Sequence, residues 1–226
     1  MTGWSLSGTV RLRGEVLFRG EIALSPGWTC LMGPSGAGKT TLLRLLAGLP
    51  VAAELEGRVL RPGRVGWVAQ DDLLQPRQSV GANVALLERL AGRAVDPARV
   101  ERLLAQVGLA GFAARRPATL SGGQRQRVAL ARMLMQQAEV VAMDEPFSAL
   151  DPATRRQMQD LARGVLRGRT VLMVTHDPTE ALRMADRVLV LAGGTVAEVP
   201  LPGAPPRDPE AGGAAGALLR LVRAVS

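Results

Sequence analysis

An apolar run, a glycine-rich loop and an amphipathic pattern follow one another without interruption near the start of this chain. The loop is Gly33–Thr40, which fits the pattern G-x-x-x-x-G-K-[ST]; Trp28–Met32 precedes it and Thr41–Leu46 can continue it as a helix. Glycines at these positions let backbone N–H groups turn inward around phosphate oxygens, and the helix start adds its positive dipole end. This context predicts a buried strand, a phosphate-binding loop and a helix, the arrangement found in proteins that bind nucleoside triphosphates.

Lysine and histidine each occur once, and every other basic residue is arginine. Lys39 lies in the glycine-rich loop, and His176 follows the apolar run Val171–Thr175. A lysine is a compact point charge whereas arginine is a broad planar fork, so only lysine fits inside a tight backbone loop around a phosphate. We therefore expect Lys39 to reach the β- and γ-phosphates of a nucleotide and Thr40 to coordinate Mg²⁺.

The composition favours one soluble or membrane-peripheral domain in a reducing compartment. The chain has 226 residues, 47% of them hydrophobic, which suffices for one core with a small appended lobe. Its net charge of +8 comes from scattered arginines, so we expect no nucleic acid as a partner. Cys30 stands alone, Met1–Trp4 does not resemble a signal peptide, and no apolar run approaches the roughly 20 residues that span a bilayer.

Short apolar runs alternate with longer amphipathic patterns, which predicts an α/β domain with a largely parallel sheet. The predicted strands are continuous apolar runs, as is typical of strands buried on both faces: Trp28–Met32, Arg64–Ala69, Val140–Asp144, Thr170–Thr175 and Arg187–Leu191. The predicted helices are Lys39–Ala47, Gly123–Gln137, Pro152–Leu166 and Thr179–Ala185.

The remaining segments predict additions to this core. Ser79–Val107 looks helical, broken by Asp96-Pro97, and indicates a helical lobe over about residues 76–137. Residues 5–24 favour strands and predict a small antiparallel layer. We expect the main domain to span residues 1–199. Over 200–226 we expect an extended proline-rich linker, Pro200–Pro209, and one short helix, Leu218–Val225.

Two adjacent acids follow one of the predicted strands. Val140–Met143 leads into Asp144 and Glu145, so both carboxylates should lie at the carboxyl edge of the sheet, beside the phosphate loop. Asp144 can hold Mg²⁺ through water. Glu145 is then placed to orient or deprotonate an attacking water molecule.

A second candidate anion site lies at the start of a later helix. Leu120–Gln124 precedes a helical pattern, with Ser121 as a good N-cap. Gly122 and Gly123 leave the helix N-terminus bare, so that its N–H groups can face an anion. One nucleotide needs only one phosphate cradle. The second site therefore predicts a two-fold dimer in which each copy contributes to the nucleotide of the other.

These motifs, in this order and spacing, resemble those of the ATP-binding cassette (ABC) family over about residues 5 to 199. Gly33–Thr40 matches the Walker A loop, Val140–Asp144 the Walker B strand, Leu120–Gln124 the signature loop and Ser148–Asp151 the D-loop. The resemblance implies a P-loop NTPase (RecA-like) core with a mostly parallel sheet, a small antiparallel layer and an inserted helical lobe. It also implies an ATPase with ATP and Mg²⁺ as cofactors.

The resemblance assigns roles to individual residues. Gln70 matches the Q-loop glutamine that senses Mg²⁺ and water, and His176 the switch histidine that contacts the γ-phosphate. The implied catalytic residues are Glu145, His176 and Gln70, and the implied metal-binding residues are Thr40, Gln70 and Asp144. The implied nucleotide-binding residues are Gly33, Pro34, Ser35, Gly36, Ala37, Gly38, Lys39, Thr40 and Thr41, with Ser121, Gly122, Gly123 and Gln124 acting on the nucleotide of the partner copy.

The chain departs from the family pattern at one position. ABC ATPases usually stack adenine on an aromatic residue upstream of the phosphate loop, and this chain has no tyrosine. By spacing from Gly27, that position holds Leu12; the nearby aromatic residues, Trp4 and Phe18, do not align with it. Base stacking is worth roughly 1–3 kcal/mol. The sequence therefore predicts weak ATP affinity or weak selectivity for the base.

Among the branches of the family, the chain resembles importer subunits. It lacks the long coiled-coil insertion of DNA-repair ABC ATPases and the second tandem cassette of translation factors. Asp71–Pro76, followed by Ser79–Val84, is similar to importer cassettes that receive a short coupling helix of a permease. Leu73, Leu74 and a Ser79–Leu90 helix would then line the docking groove. The alternative is that the two leucines are ordinary core residues.

The resemblance also implies partners and a location. It implies a homodimer of cassettes, peripheral to the membrane at the cytoplasmic face of the inner membrane, with integral membrane permease subunits and a substrate-binding protein that acts through the permease. Trp28–Leu49, Val65–Pro76 and Glu145–Asp151 resemble the nitrate, sulfonate and taurine importers, most closely ATPases that serve hydroxymethylpyrimidine (thiamine precursor) uptake. Thiamine, sulfonate and nitrate importers are alternatives. A soluble nucleic-acid-associated ABC ATPase and an export or lipoprotein-release cassette are the alternatives from other classes.

Overall fold

A computed structural model describes residues 3–201, 203–208, 216, 218 and 220. The strands of this described part are β1 Trp4–Leu12, β2 Glu15–Leu24, β3 Gly27–Met32, β4 Glu54–Leu60, β5 Val65–Val68, β6 Val140–Asp144, β7 Thr170–Val174, β8 Arg187–Ala192 and β9 Thr195–Val199. Its α-helices are α1 Lys39–Ala47, α2 Val80–Leu90, α3 Pro97–Gln106, α4 Gly122–Met135, α5 Pro152–Val165 and α6 Pro178–Met184. Helices and strands thus alternate, which confirms the predicted α/β class.

The chain divides into two compact units. The first unit contains the described residues of 1–65, 139–145 and 168–226, and the second unit contains residues 66–138 and 146–167. The chain therefore leaves the first unit after β4, returns to it for β6, leaves again for α5 and returns for β7. Strand β5 begins at the boundary.

The first unit is built on a sheet in which β6, β7, β3, β8 and β9 lie side by side in that order. Strands β6, β7, β3 and β8 run parallel, and β9 returns antiparallel to β8. The side chains of β3, β7 and β8 are almost all buried, as the continuous apolar runs predicted. Helix α1 contributes Leu42, Leu43 and Leu46, each fully buried. The largely parallel sheet is thereby confirmed.

An antiparallel layer, with the order β2-β1-β4, completes the first unit. Gly8 of β1 lies opposite Gly57 of β4, where a Cβ atom on Gly8 would come within 2.2 Å of the Glu56 carbonyl oxygen. The two backbones therefore meet at a distance that no side chain permits. Trp4 is buried and donates its indole N–H to the carbonyl oxygen of Leu46 at 2.9 Å, which ties the layer to the end of α1.

The second unit is mainly helical, and each of its α-helices α2 to α5 begins at a polar cap. Ser79, Asp96, Ser121 and Asp151 accept backbone N–H groups at the starts of α2, α3, α4 and α5. Pro97 and Pro152 occupy the first helical position, where the missing N–H has no cost. Helix α4 is central and packs against α2, α3 and α5. The helical interpretation of Ser79–Val107, with its break at Asp96-Pro97, is confirmed.

Sequence patterns placed α1 with the same bounds and most other elements within two residues. Helix α6 begins at Pro178 rather than Thr179, because Asp177 caps it. Helix α4 ends at Met135 rather than Gln137, because Gln137 has a φ of 55° that no α-helix can contain. Strands β4 and β9 were not predicted, because each contains few buried apolar residues.

The chain continues past β9 onto the end of α6. Arg207 donates to the carbonyl oxygens of Leu182 and Ala185 at 3.0 and 2.6 Å, the groups that a helix C-terminus leaves unpaired. Of the predicted helix Leu218–Val225, the structure describes Leu218 and Arg220, which are helical; its other residues lie outside the described part. None of the described helices is long and apolar enough to cross a membrane.

Candidate active site

The glycine-rich loop connects β3 to α1 and closes around its own lysine. Lys39 donates from Nζ to the carbonyl oxygens of Gly33 and Pro34 at 3.0 and 2.8 Å. Gly33 has a φ of 144°, and a Cβ atom there would come within 2.2 Å of the Leu191 carbonyl oxygen. Burial lowers the pKa of Lys39, while the carboxylates of Glu145 and Asp144 oppose that effect. The loop thus holds a cation among backbone groups that face inward.

An open cavity of about 340 Å³ lies over this loop. It is lined by Leu12, Leu17, Ser35, Gly36, Gly38, Lys39, Thr40, Thr41 and Glu145. Six of these residues belong to the sequence-predicted phosphate site, and Leu12 is the residue that the spacing from Gly27 placed at the position of the adenine-stacking aromatic. Leu17 was not predicted. It follows the β1–β2 turn, and only the pairing of those strands brings it to the cavity.

A hydroxyl group and a carboxylate form a hydrogen bond beside the phosphate loop. Thr40 donates from Oγ1 to Oδ1 of Asp144 at 2.9 Å, across 104 positions of sequence. Burial raises the pKa of Asp144 above its ordinary value, and the hydrogen bond from Thr40 partly offsets this. Among the described residues no cluster of three or more acidic, histidine or cysteine side chains surrounds a metal position. Mg²⁺ does not need one, because it is commonly bound by one or two protein oxygen ligands together with substrate phosphates and water. Thr40 and Asp144 fit such a site.

Glu145 and His176 lie together at the same sheet edge. In the register of β6 and β7, Asp144 is opposite Val174, so the segments that follow both strands leave the sheet side by side. Oε2 of Glu145 is 3.0 Å from Nδ1 of His176. The His176 side chain is 63% exposed and that of Glu145 24%. Glu145 has a φ of 44°, which is unusual for a residue with a side chain and characteristic of functional sites.

In the second unit, the signature loop forms a capped helix start. Ser121 Oγ accepts the N–H of Gln124, and Gln124 Oε1 accepts the N–H of Ser121, which together form a capping box. The N-cap role predicted for Ser121 is confirmed. A Cβ atom on Gly123 would lie 2.5 Å from Thr154 on α5, whereas at Gly122 the nearest atom is 3.8 Å away. Packing therefore requires glycine at position 123, whereas position 122 has open space around it.

Two other residues of interest lie in the second unit. Gln70 follows β5 and is exposed. Gln126, two residues after the capping box, is buried and donates to the carbonyl oxygen of Pro146 at 2.5 Å. Gln126 was not singled out from the sequence, although an amide on the buried face of an amphipathic helix is itself a signal that a polar partner is present.

The same motifs occur in known proteins. Residues 21–148 match the family model described as ABC transporter. The chain is similar to a Haemophilus influenzae protein described as an uncharacterized ABC transporter ATP-binding protein, at 44% identity over 81% of this chain and 79% of that protein. It is also similar to an aliphatic sulfonates import ATP-binding protein of Delftia acidovorans, at 47% identity over 86% of this chain and 84% of the relative.

A third relative is a longer protein. An Fe(3+) ions import ATP-binding protein of Rhodococcus jostii is 47% identical over 88% of this chain, which spans 60% of that relative's length. The match to the family model covers more than half of the chain, and the phosphate loop, Asp144 and Glu145 all lie inside it. The chain therefore belongs to the ABC transporter family as an ATP-binding subunit, an ATPase whose turnover is coupled to transport.

Proposed function

We propose that this chain is the ATP-hydrolysing subunit of an importer, working with separate permease subunits and a substrate-binding protein. Support comes from relatives at 44–53% identity, several of which are described as import ATP-binding proteins. The chain covers 84% of the Delftia acidovorans relative, so the likeness extends over nearly a complete subunit of that kind.

The observation that carries the hydrolytic role is the placement of Glu145. Its carboxylate lines the cavity over the phosphate loop and lies 3.0 Å from His176 Nδ1. A carboxylate there can accept a proton from a water molecule that attacks the terminal phosphate. The imidazole can hold that carboxylate in place and contact the γ-phosphate. Gln70, which follows β5, is the third proposed catalytic residue, because it matches the Q-loop glutamine that senses Mg²⁺ and water.

Mg²⁺ would be held by Thr40 Oγ1 and, through water, by Asp144, with Gln70 as a further ligand. When bound, the ion neutralises charge on the β- and γ-phosphates. The carboxylate of Asp144 is half-buried, and burial raises its pKa although Thr40, Arg44 and Lys39 act to lower it, so a divalent ion would further stabilise the charged form. The hydroxyl that now bonds Asp144 would turn toward the ion.

The signature residues Ser121, Gly122, Gly123 and Gln124 are proposed to act on the nucleotide of a second copy in a two-fold homodimer. The capping box satisfies the N–H groups of Ser121 and Gln124. Gly122 has open space around it, so that a phosphate can approach the N-terminus of α4 there. ATP-dependent dimerisation of a Glu145→Gln variant, measured by light scattering, tests this. Adding Gly122→Ala should abolish the dimer while leaving the monomer folded; a dimer that persists would contradict it.

A groove in the second unit is the proposed docking site for the permease. It measures about 580 Å³ and is lined partly by small residues, namely Gly81, Ala82, Ala98, Ala113 and Ala114, and partly by larger ones that include Val95, Val100 and Glu101. Small residues admit a helix at close range. Ser79, Ala82 and Arg89 line it, as expected for the Ser79–Leu90 segment; Leu73 and Leu74 do not. The alternative that both leucines are core residues is wrong for Leu73, which is 57% exposed, whereas Leu74 is half-buried.

The positive charge of the chain supports a membrane-peripheral location. The second unit carries 14 arginines against seven acidic residues, a net +7, whereas the rest of the chain has 14 basic and 13 acidic residues. A basic surface favours the anionic lipids of the cytoplasmic leaflet. The likeness to import ATP-binding subunits is the reason that we propose the cytoplasmic face of the inner membrane as the location. The same charge is also compatible with the alternative function, a nucleic-acid-associated ATPase, which would show steeply salt-dependent DNA or RNA binding.

An aliphatic sulfonate is the first candidate for the imported solute, because relatives of that description match at 46–53% identity. Fe³⁺ is the second, on the same kind of likeness. Hydroxymethylpyrimidine, which the sequence motifs favoured, and thiamine and nitrate stay candidates by resemblance alone.

Uptake in a strain that lacks this gene tests the proposal. The strain is complemented with wild type, Glu145→Gln, or Glu139→Gln, which makes the same charge change at the other end of β6. Labelled alkanesulfonate, Fe³⁺ and hydroxymethylpyrimidine are supplied in parallel. Restoration of one uptake by wild type and Glu139→Gln, but not by Glu145→Gln, identifies the solute and the ATPase role. Equal uptake of all solutes in every strain would reject an importer of these classes.

A further inference from the structure

The loop that follows β5 presents a leucine to solvent in a strained conformation. Leu73 has a φ of 50° and is 57% exposed. A leucine rarely occupies the left-handed region, and it persists there only where neighbouring groups hold the backbone. Packing within the second unit does not explain why this apolar side chain is held in solvent.

Two arginines of α4 hold this loop. Arg132 donates from Nη1 to the carbonyl oxygen of Leu73 at 2.8 Å and from Nη2 to that of Asp72 at 2.6 Å. Arg125 donates from Nε to Oδ2 of Asp72 at 2.9 Å. The other carboxylate oxygen of Asp72 accepts the N–H of Leu74 at 3.0 Å. The loop is thus attached to α4 at one carboxylate and two consecutive carbonyl groups.

Arg125 also reaches the start of α4. Its Nη1 donates to the carbonyl oxygen of Leu120 at 2.9 Å, directly before the capping residue Ser121. One planar guanidinium therefore joins Asp72 to the Leu120–Ser121 turn, and its fork geometry makes the two bonds rigid with respect to each other. A movement of the Leu73 loop must either break these bonds or move the turn.

We propose that Asp72, Arg125 and Arg132 form a latch that transmits displacement of Leu73 to the Leu120–Ser121 turn. These are positioning residues. The inference rests on the proposed function, in which a permease docks on the second unit and the N-terminus of α4 meets the partner copy's nucleotide. It adds that an apolar segment of the permease also contacts the exposed Leu73. The latch then connects contact with the permease to the N-terminus of α4, where the partner copy's nucleotide is proposed to bind. It contributes little to stability, because the Arg125 and Asp72 side chains are 39% and 28% exposed and such pairs are weakly stabilising.

Asp72→Asn opens the latch with the least disturbance. The amide oxygen can still accept the N–H of Leu74, but its NH₂ group would face the guanidinium of Arg125, donor against donor. Asp71→Asn is the matched control, since Asp71 is the neighbouring exposed acid and the change in charge is the same. Both variants should melt within a few degrees of wild type.

The first measurement uses the chain alone. Hydrogen exchange of the Ser121 and Gln124 amides, which the capping box protects, reports on the turn. We expect Asp72→Asn to speed this exchange at least about fivefold and Asp71→Asn to leave it unchanged. Equal exchange in the two variants would overturn the latch.

The second measurement uses the assembled transporter in vesicles. We expect solute-stimulated ATPase activity to fall at least about fivefold in Asp72→Asn relative to Asp71→Asn, with ATP affinity unchanged. Stimulation equal to that of Asp71→Asn would overturn transmission through the latch. If wild type itself shows no solute stimulation, the proposed importer function fails, whereas the exchange measurement still decides whether the loop and the turn are linked.

Discussion

His176 Nδ1 lies 3.0 Å from Glu145 Oε2, although 31 positions separate the two residues in sequence. The contact exists because β6 and β7 are parallel neighbours that end at the same edge, where Glu145 donates its N–H to the carbonyl oxygen of Val174. His176, the only histidine of the chain, is thereby paired with the acid that follows the predicted Walker B strand. We propose that this pair acts together with Lys39 of the phosphate loop in ATP hydrolysis.

Glu145→Gln should bind ATP with little change in affinity and hydrolyse it at least about 100-fold more slowly. The amide keeps the shape of the side chain and an acceptor for His176, but it cannot take a proton from water. Single-turnover phosphate release checks this, with Glu139→Gln as the control for lost charge. Turnover at the wild-type rate would remove Glu145 from the hydrolytic step.

Lys39→Ala and Lys39→Arg should both lose ATP binding. Lys39 is 8% exposed and encircled by the carbonyl groups of Gly33 and Pro34, a space that a planar guanidinium does not fit. The rise in melting temperature on adding ATP measures binding through linkage. Wild type should show it and both variants should not. An undiminished rise in the arginine variant would show that charge alone suffices.

Gly33→Ala should destabilise the fold more than Gly36→Ala. A Cβ atom at Gly33 would collide with the Leu191 carbonyl oxygen at 2.2 Å, whereas at Gly36 no atom lies within 4 Å. We expect the first change to lower the free energy of unfolding by at least about 2 kcal/mol and the second by roughly 1 kcal/mol, the latter from its positive φ. Urea unfolding measures both. Equal losses would contradict the geometry of the loop.

Leu12→Tyr should tighten ATP binding by roughly 1–3 kcal/mol, about 5- to 150-fold, by adding an aromatic face beside Leu17. Wild type should bind ATP and GTP with comparable affinity. Leu60→Tyr, an equal change at a 43% exposed leucine away from the cavity, is the control. Titration calorimetry measures the affinities. Tight, adenine-specific binding by wild type would refute the argument from the missing aromatic residue.

Thr40→Val should raise the Mg²⁺ concentration needed for half-maximal hydrolysis at least about tenfold, the scale seen when a metal site loses a supporting group. The change keeps the shape of Thr40 but removes the hydroxyl that now bonds Asp144 at 2.9 Å. Chelation of Mg²⁺ should stop hydrolysis in both proteins. An identical Mg²⁺ requirement would exclude the hydroxyl from the metal site.

The sequence predicted best where local chemistry is strong. Helix α1 has the predicted bounds because Gly38 and Gly48, both in the left-handed region, flank it on either side. Asp144 was expected beside the phosphate loop from the rule that parallel strands end at one edge, and its bond to Thr40 confirms that reasoning. Each of these features depends on a few residues and a known geometry.

Sequence patterns were least informative for features that depend on strand pairing or on which side chains are exposed. Strand β4 has one fully aligned partner, β1, and its alternate residues are mostly exposed, so its pattern is weak. Leu17 reaches the cavity only through the register of the β1–β2 hairpin. Leu73 is apolar, and no sequence pattern predicts that Arg132 donates to its carbonyl oxygen while its side chain stays exposed. Such features arise from contacts between distant segments.

The hydrogen bond of Trp4 to Leu46 gives the chain an optical reporter of its own. With no tyrosine present, near-ultraviolet emission comes from the three tryptophans, Trp4, Trp28 and Trp67, and the first two are buried in the first unit at 1% and 3% exposure. If the antiparallel layer separates from α1, water reaches the Trp4 indole and the emission shifts to longer wavelength. Loss of the first unit's packing can therefore be followed on unlabelled protein.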